Sequence, residues 1–325
     1  MTPVLSPEPI PTRVSVIVPT RDRPAMLGEA LASIRALEGP DLSFEILVGD
    51  NGSTPETRQV AEAHGARYLK VLENGASAAR NACLRAATGD YLAFLDDDDV
   101  WLPGHIRPHL KLLVLRPEVE AVVGQVIYTD KDLLPRGGAF PPEPPGEGDE
   151  LLRKMLGGWF PQIGTTVART TIREKIGEFD LRLLGGQDLD WLLRLAHRRT
   201  LAFQATTCLL FRGRAPGSFD KLNFRRIGFD RRIFVRHVFT EWRIWTPTSL
   251  SRAYSGTMMH FFTYFSEAAD ARAQRGERIG ALRAVSIAAW IFPLRTVWHL
   301  VRSSPLRQAM IGVLTGAGAR TQTQP

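Results

Sequence analysis

Cysteine is scarce in this sequence, and long apolar segments are absent. Only Cys83 and Cys208 occur among the 325 residues, which argues against a disulfide framework and against a zinc site built on thiolates. The longest apolar stretch, residues 284–294, contains Pro293 and is shorter than the roughly 20 residues of a membrane-spanning helix. We therefore expect two buried thiols in a reducing compartment and no spanning helix.

The sequence also lacks a secretory signal and several common binding motifs. The first residues, MTPVLSPEPIPTR, are rich in proline and contain no apolar run. We therefore expect residues 1–12 to be disordered and the protein to be cytoplasmic. No G-x-x-x-x-G-K-[ST] or G-x-G-x-x-G segment is present, and the seven histidines include no H-E-x-x-H spacing. These absences argue against a P-loop enzyme, a dinucleotide-binding enzyme and a zinc site of that kind.

Positive charge is concentrated in the C-terminal part of the chain. Residues 1–200 contain 23 Lys and Arg against 28 Asp and Glu, a net charge of −5. Residues 201–325 contain 18 against 6, a net charge of +12. A basic segment suits nucleic acid, anionic lipid or an acidic acceptor, and charge alone does not choose among them. The lack of a recognised nucleic-acid-binding motif disfavours the first.

Short apolar segments alternate with helical patterns in the first two-thirds of the chain. The segments VSVIVP, FEILVG, ARYLKVL and YLAFL are apolar on both faces and are separated by amphipathic stretches, a pattern typical of parallel strands covered by helices. Beyond Gly217 the strand signals stop and the pattern is helical. We predict an α/β domain over residues 13–217, with a mostly parallel sheet flanked by helices, and a helical basic region over residues 218–325.

One segment inside the predicted α/β domain is rich in proline, glycine and charge. It runs from Leu134 to Glu150, with the sequence LPRGGAFPPEPPGEGDE, and this composition predicts an exposed loop. Long loops in such domains are often lids over a site, and a tolerated surface insertion is the alternative.

The segment FLDDDD places four carboxylates directly after an apolar strand. Asp96 to Asp99 repel one another, and no Lys or Arg occurs between Asp90 and Gly104 to compensate them. They are therefore either solvated or bound to a hard divalent cation, which prefers carboxylate oxygens. Open parallel sheets bind ligands beyond the carboxyl ends of their strands, which favours a cation site, and an acidic solvated turn is the alternative.

Polar residues also follow the other predicted strands. The first strand ends at Thr20, the second ends at Asp50, and Asn74 precedes the third helix. Because the carboxyl ends of parallel strands meet at one edge of a sheet, we expect these residues to line one crevice with Asp96 and Asp98. Taken alone, the segment that begins at Asp50 is also a typical turn and helix start.

Four segments, in order and spacing, resemble the family 2 glycosyltransferases. They are VSVIVPTRDRPAMLGEALASI, ILVGDNGST, NGASAARNACLRAATGDYLAFLDDDDVW and GEFDLRLLGGQDLDWLLRLA, and the similarity extends from about Arg13 to Phe211. Members of this family are inverting enzymes with the GT-A fold, a Rossmann-like arrangement, and they use nucleotide-sugar donors. The resemblance implies transfer of a sugar, from a UDP-sugar in our interpretation, to a hydroxyl of a glycan or lipid-linked acceptor in surface polysaccharide biosynthesis.

The resemblance also implies nucleotide-binding roles at matching positions. Pro19, Thr20, Asp50, Arg80 and Asp96 would bind the nucleotide, with the first four around the base and the ribose. Without the resemblance, Arg80 is equally compatible with a solvated position on a helix face.

Three aspartates match the family's metal and catalytic positions. Asp96 and Asp98 match the DxD motif, which holds Mg²⁺ or Mn²⁺ at the donor diphosphate, and Asp98 would be the more direct ligand. Asp188 in GGQDLDW matches the catalytic base that takes the proton of the acceptor hydroxyl, although Gln187 replaces the usual Glu before it. Asp190 is the competing base, and a helix N-terminal carboxylate is the non-catalytic alternative for Asp188.

The sequence is compatible with more than one function for the basic C-terminal region and for the whole chain. Arginines interleaved with aromatic and aliphatic residues suit an anionic membrane surface on the inner face of a membrane, or an ordinary helix packed on the catalytic domain. The chain could instead be a non-catalytic module that binds sugar nucleotides or membranes. Another nucleotide-sugar enzyme, such as a nucleotidyltransferase, would need a glycine-rich phosphate loop, which VPTRDRP does not provide.

Overall fold

The computed structural model describes residues 12–213, 220–242 and 245–315. These residues form two compact units: 12–152 with 160–213, and 153–159 with 220–242 and 245–315. The segment predicted to be disordered, residues 1–12, lies outside the described residues except for Thr12. That residue begins the first strand, because its backbone pairs with Leu42 in the neighbouring strand.

The regular elements in chain order are eight strands and twelve helices within the described residues. The strands are β1 (Thr12–Thr20), β2 (Leu42–Asp50), β3 (Arg67–Lys70), β4 (Tyr91–Phe94), β5 (Val100–Trp101), β6 (Ala121–Tyr128), β7 (Val167–Arg169) and β8 (Leu201–Phe211). The helices are α1 (Pro24–Arg35), α2 (Glu56–Ala63), α3 (Ala76–Ala86), α4 (Ile106–Leu115), α5 (Gly148–Leu156), α6 (Ile172–Ile176), α7 (Gln187–His197), α8 (Asp220–Thr240), α9 (Pro247–Gln274), α10 (Arg278–Ile291), α11 (Pro293–Val301) and α12 (Pro305–Thr315).

The first unit is built on one eight-stranded sheet, in the order β3-β2-β1-β4-β7-β6-β8-β5. The pairs β1 with β2, β1 with β4, β2 with β3 and β6 with β8 are parallel. Strand β7 is antiparallel to β4 and β6, and β5 is antiparallel to β8. The predicted α/β fold with a mostly parallel, helix-flanked sheet is confirmed, and the antiparallel direction of the two short strands β5 and β7 was not predicted.

The central strands are buried on both faces, as their continuous apolar sequences predict. In β1, Val16 and Ile17 point to opposite faces of the sheet and both are fully buried. Helix α1 covers one face with Leu27, Leu31 and Ile34, which recur at helical spacing and are also buried. The strand ends that follow are therefore held on a rigid core.

The two cysteines are buried free thiols, as predicted. Cys208 of β8 lies beside two core histidines of the α4 region, with its Sγ 3.7 Å from His109 Nε2. Burial lowers the pKa of His109 to about 4, and burial and the neighbouring imidazole lower that of His105 as well. Both rings are therefore neutral near pH 7, and they pack edge to face.

The predicted loop from Leu134 to Glu150 is exposed over most of its length. A bridge between Val126 and Phe140 fixes its middle to β6, and α5 begins inside its last residues, at Gly148.

The described residues beyond 220 form helices α8 to α12 joined by short turns, as predicted for the C-terminal region. Its core is formed by α8 to α12, with Phe261 and Phe265 of α9 packing against small residues such as Ala281 and Ala288 of α10. Helix α9 begins with a reciprocal capping box between Thr246 and Ser249. No helix in residues 12–213, 220–242 and 245–315 is both long and apolar enough to cross a membrane.

Candidate functional site

Hydrogen bonds tie the loops that follow β1, β2 and β3 to one another. Asp22, after β1, accepts the backbone N–H groups of Ser53 at 2.6 Å and Thr54 at 3.0 Å, which follow β2. Asn51 in turn donates to the carbonyl oxygens of Glu73 and Gly75, just before α3. The predicted convergence of the strand ends on one edge of the sheet is therefore observed.

The four aspartates after β4 are compensated by arginines that are distant in sequence. Arg23, at the start of α1, donates to Asp97 Oδ1 at 3.0 Å and Asp98 Oδ2 at 2.9 Å. Arg212, after β8, donates its backbone N–H to Asp99 Oδ1 at 2.9 Å and its Nε to the carbonyl oxygen of Asp98 at 2.7 Å. The positive charge that the segment between Asp90 and Gly104 lacks is therefore supplied by other elements.

Asp97 is a buried carboxyl of this group. Burial is the main cause that raises its pKa to about 6; Arg23 and a hydrogen bond from Thr20 oppose the rise, and the nearby Asp98 and Asp96 add to it. The Thr20 hydroxyl donates to Asp97 Oδ2 at 2.7 Å, and both residues are buried. The end of β1 is thus locked to the acidic turn through Thr20, and Pro19 before it is also buried.

Arg80 lies beneath the acidic turn rather than on a solvated face. Its side chain is 3% exposed and its Nη2 donates to Asp96 Oδ1 at 2.5 Å. Burial disfavours the charged guanidinium, but the carboxylates of Asp96 and Asp188 more than offset this and raise its pKa. Its Nε and Nη1 are buried and have no hydrogen-bond partner among the described residues. These two nitrogens therefore remain available to donate to a ligand. Buried donors without a hydrogen-bond partner are rare in folded proteins.

Asp50, at the end of β2, is fully buried and lies in register with Thr20 of β1. Its Oδ2 accepts the Tyr68 hydroxyl at 2.7 Å, and its Oδ1 accepts the backbone N–H of Gly52 at 2.7 Å. Burial and this hydrogen bond raise the pKa of Tyr68 to about 12, so the phenol stays protonated. Lys70 Nζ lies 3.6 Å from the same carboxylate.

Asp188 and Asp190, in the first turn of α7, have different surroundings. Asp190 is buried, and Arg194 Nε donates to it at 3.1 Å. Asp188 is only partly buried, accepts the backbone N–H of Leu189 at 2.9 Å, and interacts electrostatically with Arg80. Asp188 therefore belongs to the same charged cluster as Asp96, whereas Asp190 holds a structural ion pair.

Contacts that could not be predicted from the sequence hold the start of α7 near α3. The Asn81 side chain donates to the carbonyl oxygen of Phe179 and accepts its backbone N–H, both at 2.9 Å. The Phe179 ring stacks on Trp191, with the ring centroids 5.2 Å apart, and the Arg80 guanidinium lies over its other side at 5.5 Å. Trp191 and Trp101 are core residues, not exposed rings.

The structure thus brings most of the predicted site residues together. Contacts or strand register link Thr20, Asp50, Arg80, Asp96, Asp98 and Asp188, and Pro19 precedes Thr20 in β1. Sequence reasoning missed Arg23, Tyr68, Lys70 and Arg212, and it named Asp97 only as one of the four carboxylates of FLDDDD. Only Arg23, in the segment TRDRP after the first strand, carried a signal that could have identified it.

A family profile and two curated relatives that match this chain all belong to the glycosyltransferases. The profile of glycosyl transferase family 2 matches residues 15–169. The chain is 32% identical over 106 residues to the UDP-Glc:alpha-D-GlcNAc-diphosphoundecaprenol beta-1,3-glucosyltransferase WfgD of Escherichia coli, covering 31% of this chain and 41% of that protein. It is 30% identical over 172 residues to the amylovoran biosynthesis glycosyltransferase AmsB of Erwinia amylovora, covering 47% and 54%. The chain thus spans about half or less of these curated relatives.

A solved structure resembles the chain over nearly its whole length. The crystal structure of S. aureus TarS 1-349 in complex with UDP-GlcNAc superposes with a TM-score of 0.53, covering 96% of this chain and 93% of that one. The sequences are 16% identical. At that identity the similarity shows a common fold and no more.

Proposed function

Since this chain belongs to glycosyl transferase family 2 and has its GT-A fold, we propose that it is a metal-dependent inverting glycosyltransferase. The observation that supports this most is the cluster at the ends of β1, β2 and β4. There a partly buried carboxylate, Asp188, shares the buried guanidinium of Arg80 with Asp96. Transfer of a sugar from a nucleotide requires a base close to the bound nucleotide. In our proposal both belong to this one charged cluster.

The donor in our proposal is a UDP-sugar. Asp50, Thr20 and Pro19 would line the pocket for base and ribose, since two of them end adjacent parallel strands in register. The buried Arg80 has two free donors for an anionic or hydroxyl group of the nucleotide. Names of similar proteins agree, because WfgD is named for UDP-Glc and TarS has been crystallised with UDP-GlcNAc.

The acidic turn suits a hard divalent cation such as Mg²⁺ or Mn²⁺. Asp96, 32% exposed, and Asp98 supply carboxylate oxygens, the ligand type these ions prefer. The Arg23 side chain that holds Asp98 is 38% exposed, so it can move away when an ion binds. When bound, the cation would neutralise charge on the departing diphosphate.

Asp188 would act as the general base. Its carboxylate would accept the proton of the acceptor hydroxyl as that oxygen attacks the anomeric carbon, and the nucleoside diphosphate would leave from the opposite face. Because attack and departure are on opposite faces, the anomeric configuration inverts. Arg80, which interacts with both Asp188 and Asp96, would hold the base beside the acidic turn.

The acceptor in our proposal is a glycan or a lipid-linked glycan of a surface polysaccharide. The names of AmsB, an amylovoran biosynthesis enzyme, and WfgD, which acts on a diphosphoundecaprenol-linked sugar, support this class.

Release of nucleoside diphosphate from a panel of nucleotide sugars tests the function. The full chain should turn over at least one donor when Mg²⁺ or Mn²⁺ is present, and EDTA should stop the release. Asp188→Asn should reduce turnover about a hundredfold or more. If the chain bound a nucleotide sugar tightly but released no diphosphate with any acceptor tried, a non-catalytic binding module would be the better interpretation.

A further inference from the structure

The apolar face of α11 points into solvent. Leu294, Val297, Trp298 and Val301 are spaced like one face of a helix, and they are 87%, 61%, 51% and 74% exposed. The face opposite to them carries Thr296, which is buried. An amphipathic helix of a water-soluble protein normally turns its apolar face to the core. In α11, Leu300 packs against the core, but Leu294, Val297, Trp298 and Val301 remain exposed.

The chain segment that contains this face carries positive charge only. Residues 278–315 contain five arginines and no Asp, Glu or Lys. Arg295 within α11 and Arg302 directly after it are both exposed. The Arg302 guanidinium lies 4.4 Å from the centre of the Trp298 ring. On α10, the half-exposed Trp290 has the guanidinium of Arg231 4.2 Å from its ring centre.

We propose that the exposed face of α11, formed by Leu294, Val297, Trp298 and Val301, binds the surface of an anionic lipid bilayer. The aliphatic side chains would enter the boundary between head groups and acyl chains. Trp298 would lie at the head-group level, and the arginines would reach lipid phosphates while their aliphatic parts stay in the interface.

Charge complementarity selects lipid as the occupant rather than a second copy of this chain. A symmetric contact would place the same face on both copies. It would therefore oppose arginines with arginines, with no carboxylate in residues 278–315 to separate them. An anionic bilayer supplies negative charge beside an apolar interior, and it matches both features of the face. This inference concerns the second unit by itself and does not depend on sugar transfer.

Vesicle co-sedimentation of the full chain tests the proposal. Vesicles of phosphatidylcholine alone are compared with vesicles that also contain phosphatidylglycerol, at low and high salt. The wild-type protein should sediment with the anionic vesicles and less so at high salt, because salt screens the arginine contacts. Leu294→Gln with Val301→Gln should weaken partitioning by about tenfold or more, since two apolar side chains no longer enter the lipid.

A matched variant controls for the loss of exposed apolar surface in general. Val114→Gln with Leu115→Gln removes two side chains of similar exposure, 67% and 69%, from α4 of the first unit, and its vesicle binding should equal that of the wild type. Diphosphate release in lipid-free solution should be the same in all three proteins, which separates this proposal from the proposed function. A wild-type protein that stays in the supernatant with both lipids overturns the proposal, as does a Leu294 and Val301 variant that binds vesicles normally. Concentration-dependent dimerisation lost in that variant, without vesicle binding, would assign the face to a second copy.

Discussion

Two aspartates in the first turn of α7 should respond in opposite ways when their charge is removed. Asp188 is partly buried and its hydrogen bond is to Leu189 of its own helix, whereas Asp190 is buried and paired with Arg194. We therefore expect Asp188→Asn to lose activity and keep its stability. Asp190→Asn should lose stability first, and activity only as far as the fold is weakened.

The cost of Asp190→Asn follows from what Arg194 retains. The guanidinium would lose its charged partner, but it would still donate to the carbonyl oxygens of Ile176 and Glu178. Breaking a buried ion pair costs about 3–5 kcal/mol, and a hydrogen bond to a charged group contributes about 1.5–3 kcal/mol. Because Arg194 is 21% exposed, we expect the lower range, about 2–3 kcal/mol. For a domain of about 150–250 residues, the size range of the first unit, that corresponds to a fall in Tm of roughly 4–12 °C.

Asp188→Asn should leave Tm nearly unchanged. Its carboxylate interacts favourably with the N-terminus of α7, an effect of about 0.3–1 kcal/mol. The rate should fall about 10²-fold to 10⁴-fold, because an amide keeps the shape of the side chain but does not accept the proton. Diphosphate release and calorimetric Tm, measured on the same preparations, give both quantities. If Asp188→Asn kept most of its turnover while Asp190→Asn lost turnover at an unchanged Tm, the base would be Asp190.

Three further perturbations test the metal, the nucleotide and the core. Asp98→Ala should abolish the gain in UDP affinity that Mn²⁺ gives the wild type in calorimetric titration, since a carboxylate ligand is lost. Asp50→Asn should raise the KM for the donor and spare kcat, because its site is away from the reacting carbon. Burial lowers the pKa of His109 from 6.5 to about 4. The unfolded chain therefore takes up a proton that the folded chain excludes, and the free energy of unfolding should fall as the pH drops from about 6.5 to 4. His109→Phe should reduce that slope in urea unfolding.

Each of these three predictions has a control variant or a result that would contradict it. Asp132→Ala removes an exposed aspartate from the loop after β6 and should leave UDP affinity unchanged with and without Mn²⁺. Equal UDP affinity of the wild type in Mn²⁺ and in EDTA would argue against a metal at the diphosphate. A lower kcat at unchanged KM in Asp50→Asn would require the nucleotide to lie the other way round in the crevice. An unaltered pH slope in His109→Phe would assign the proton uptake to another group.

The convergence of the strand ends could be predicted from sequence because topology enforces it. Once β1, β2 and β4 are parallel neighbours, Thr20, Asp50 and Asp96 must emerge at one edge of the sheet. The apolar runs fix the strands, and the polar residue after each run marks its end. The resemblance of four segments to one family then supplied the roles.

The charge pairing could not be predicted, because it depends on contacts distant in sequence. Arg23 pairs with Asp98 across 75 positions, and Arg80 pairs with Asp96 across 16. Local composition showed four unpaired carboxylates, and only the folded arrangement shows which arginines neutralise them. The cluster of His105, His109 and Cys208 could not be predicted for the same reason. Cys208 lies beside α4 only because β8 pairs with β6.

The orientation of α11 also required the structure. Its sequence predicts an amphipathic helix, but the pattern alone does not say whether the apolar face is packed or exposed. The burial of Thr296 and the exposure of Leu294 decide this.

The anomeric configuration of the released sugar tests the proposed reaction most directly. An α-linked nucleotide sugar is incubated with the full chain and Mn²⁺, and the sugar released by hydrolysis is followed by proton NMR before it mutarotates. Attack from the face opposite the diphosphate, with Asp188 as the base, predicts that the β-anomer forms first and that Asp188→Asn forms it far more slowly. Initial formation of the α-anomer would contradict inversion and the role of Asp188 with it.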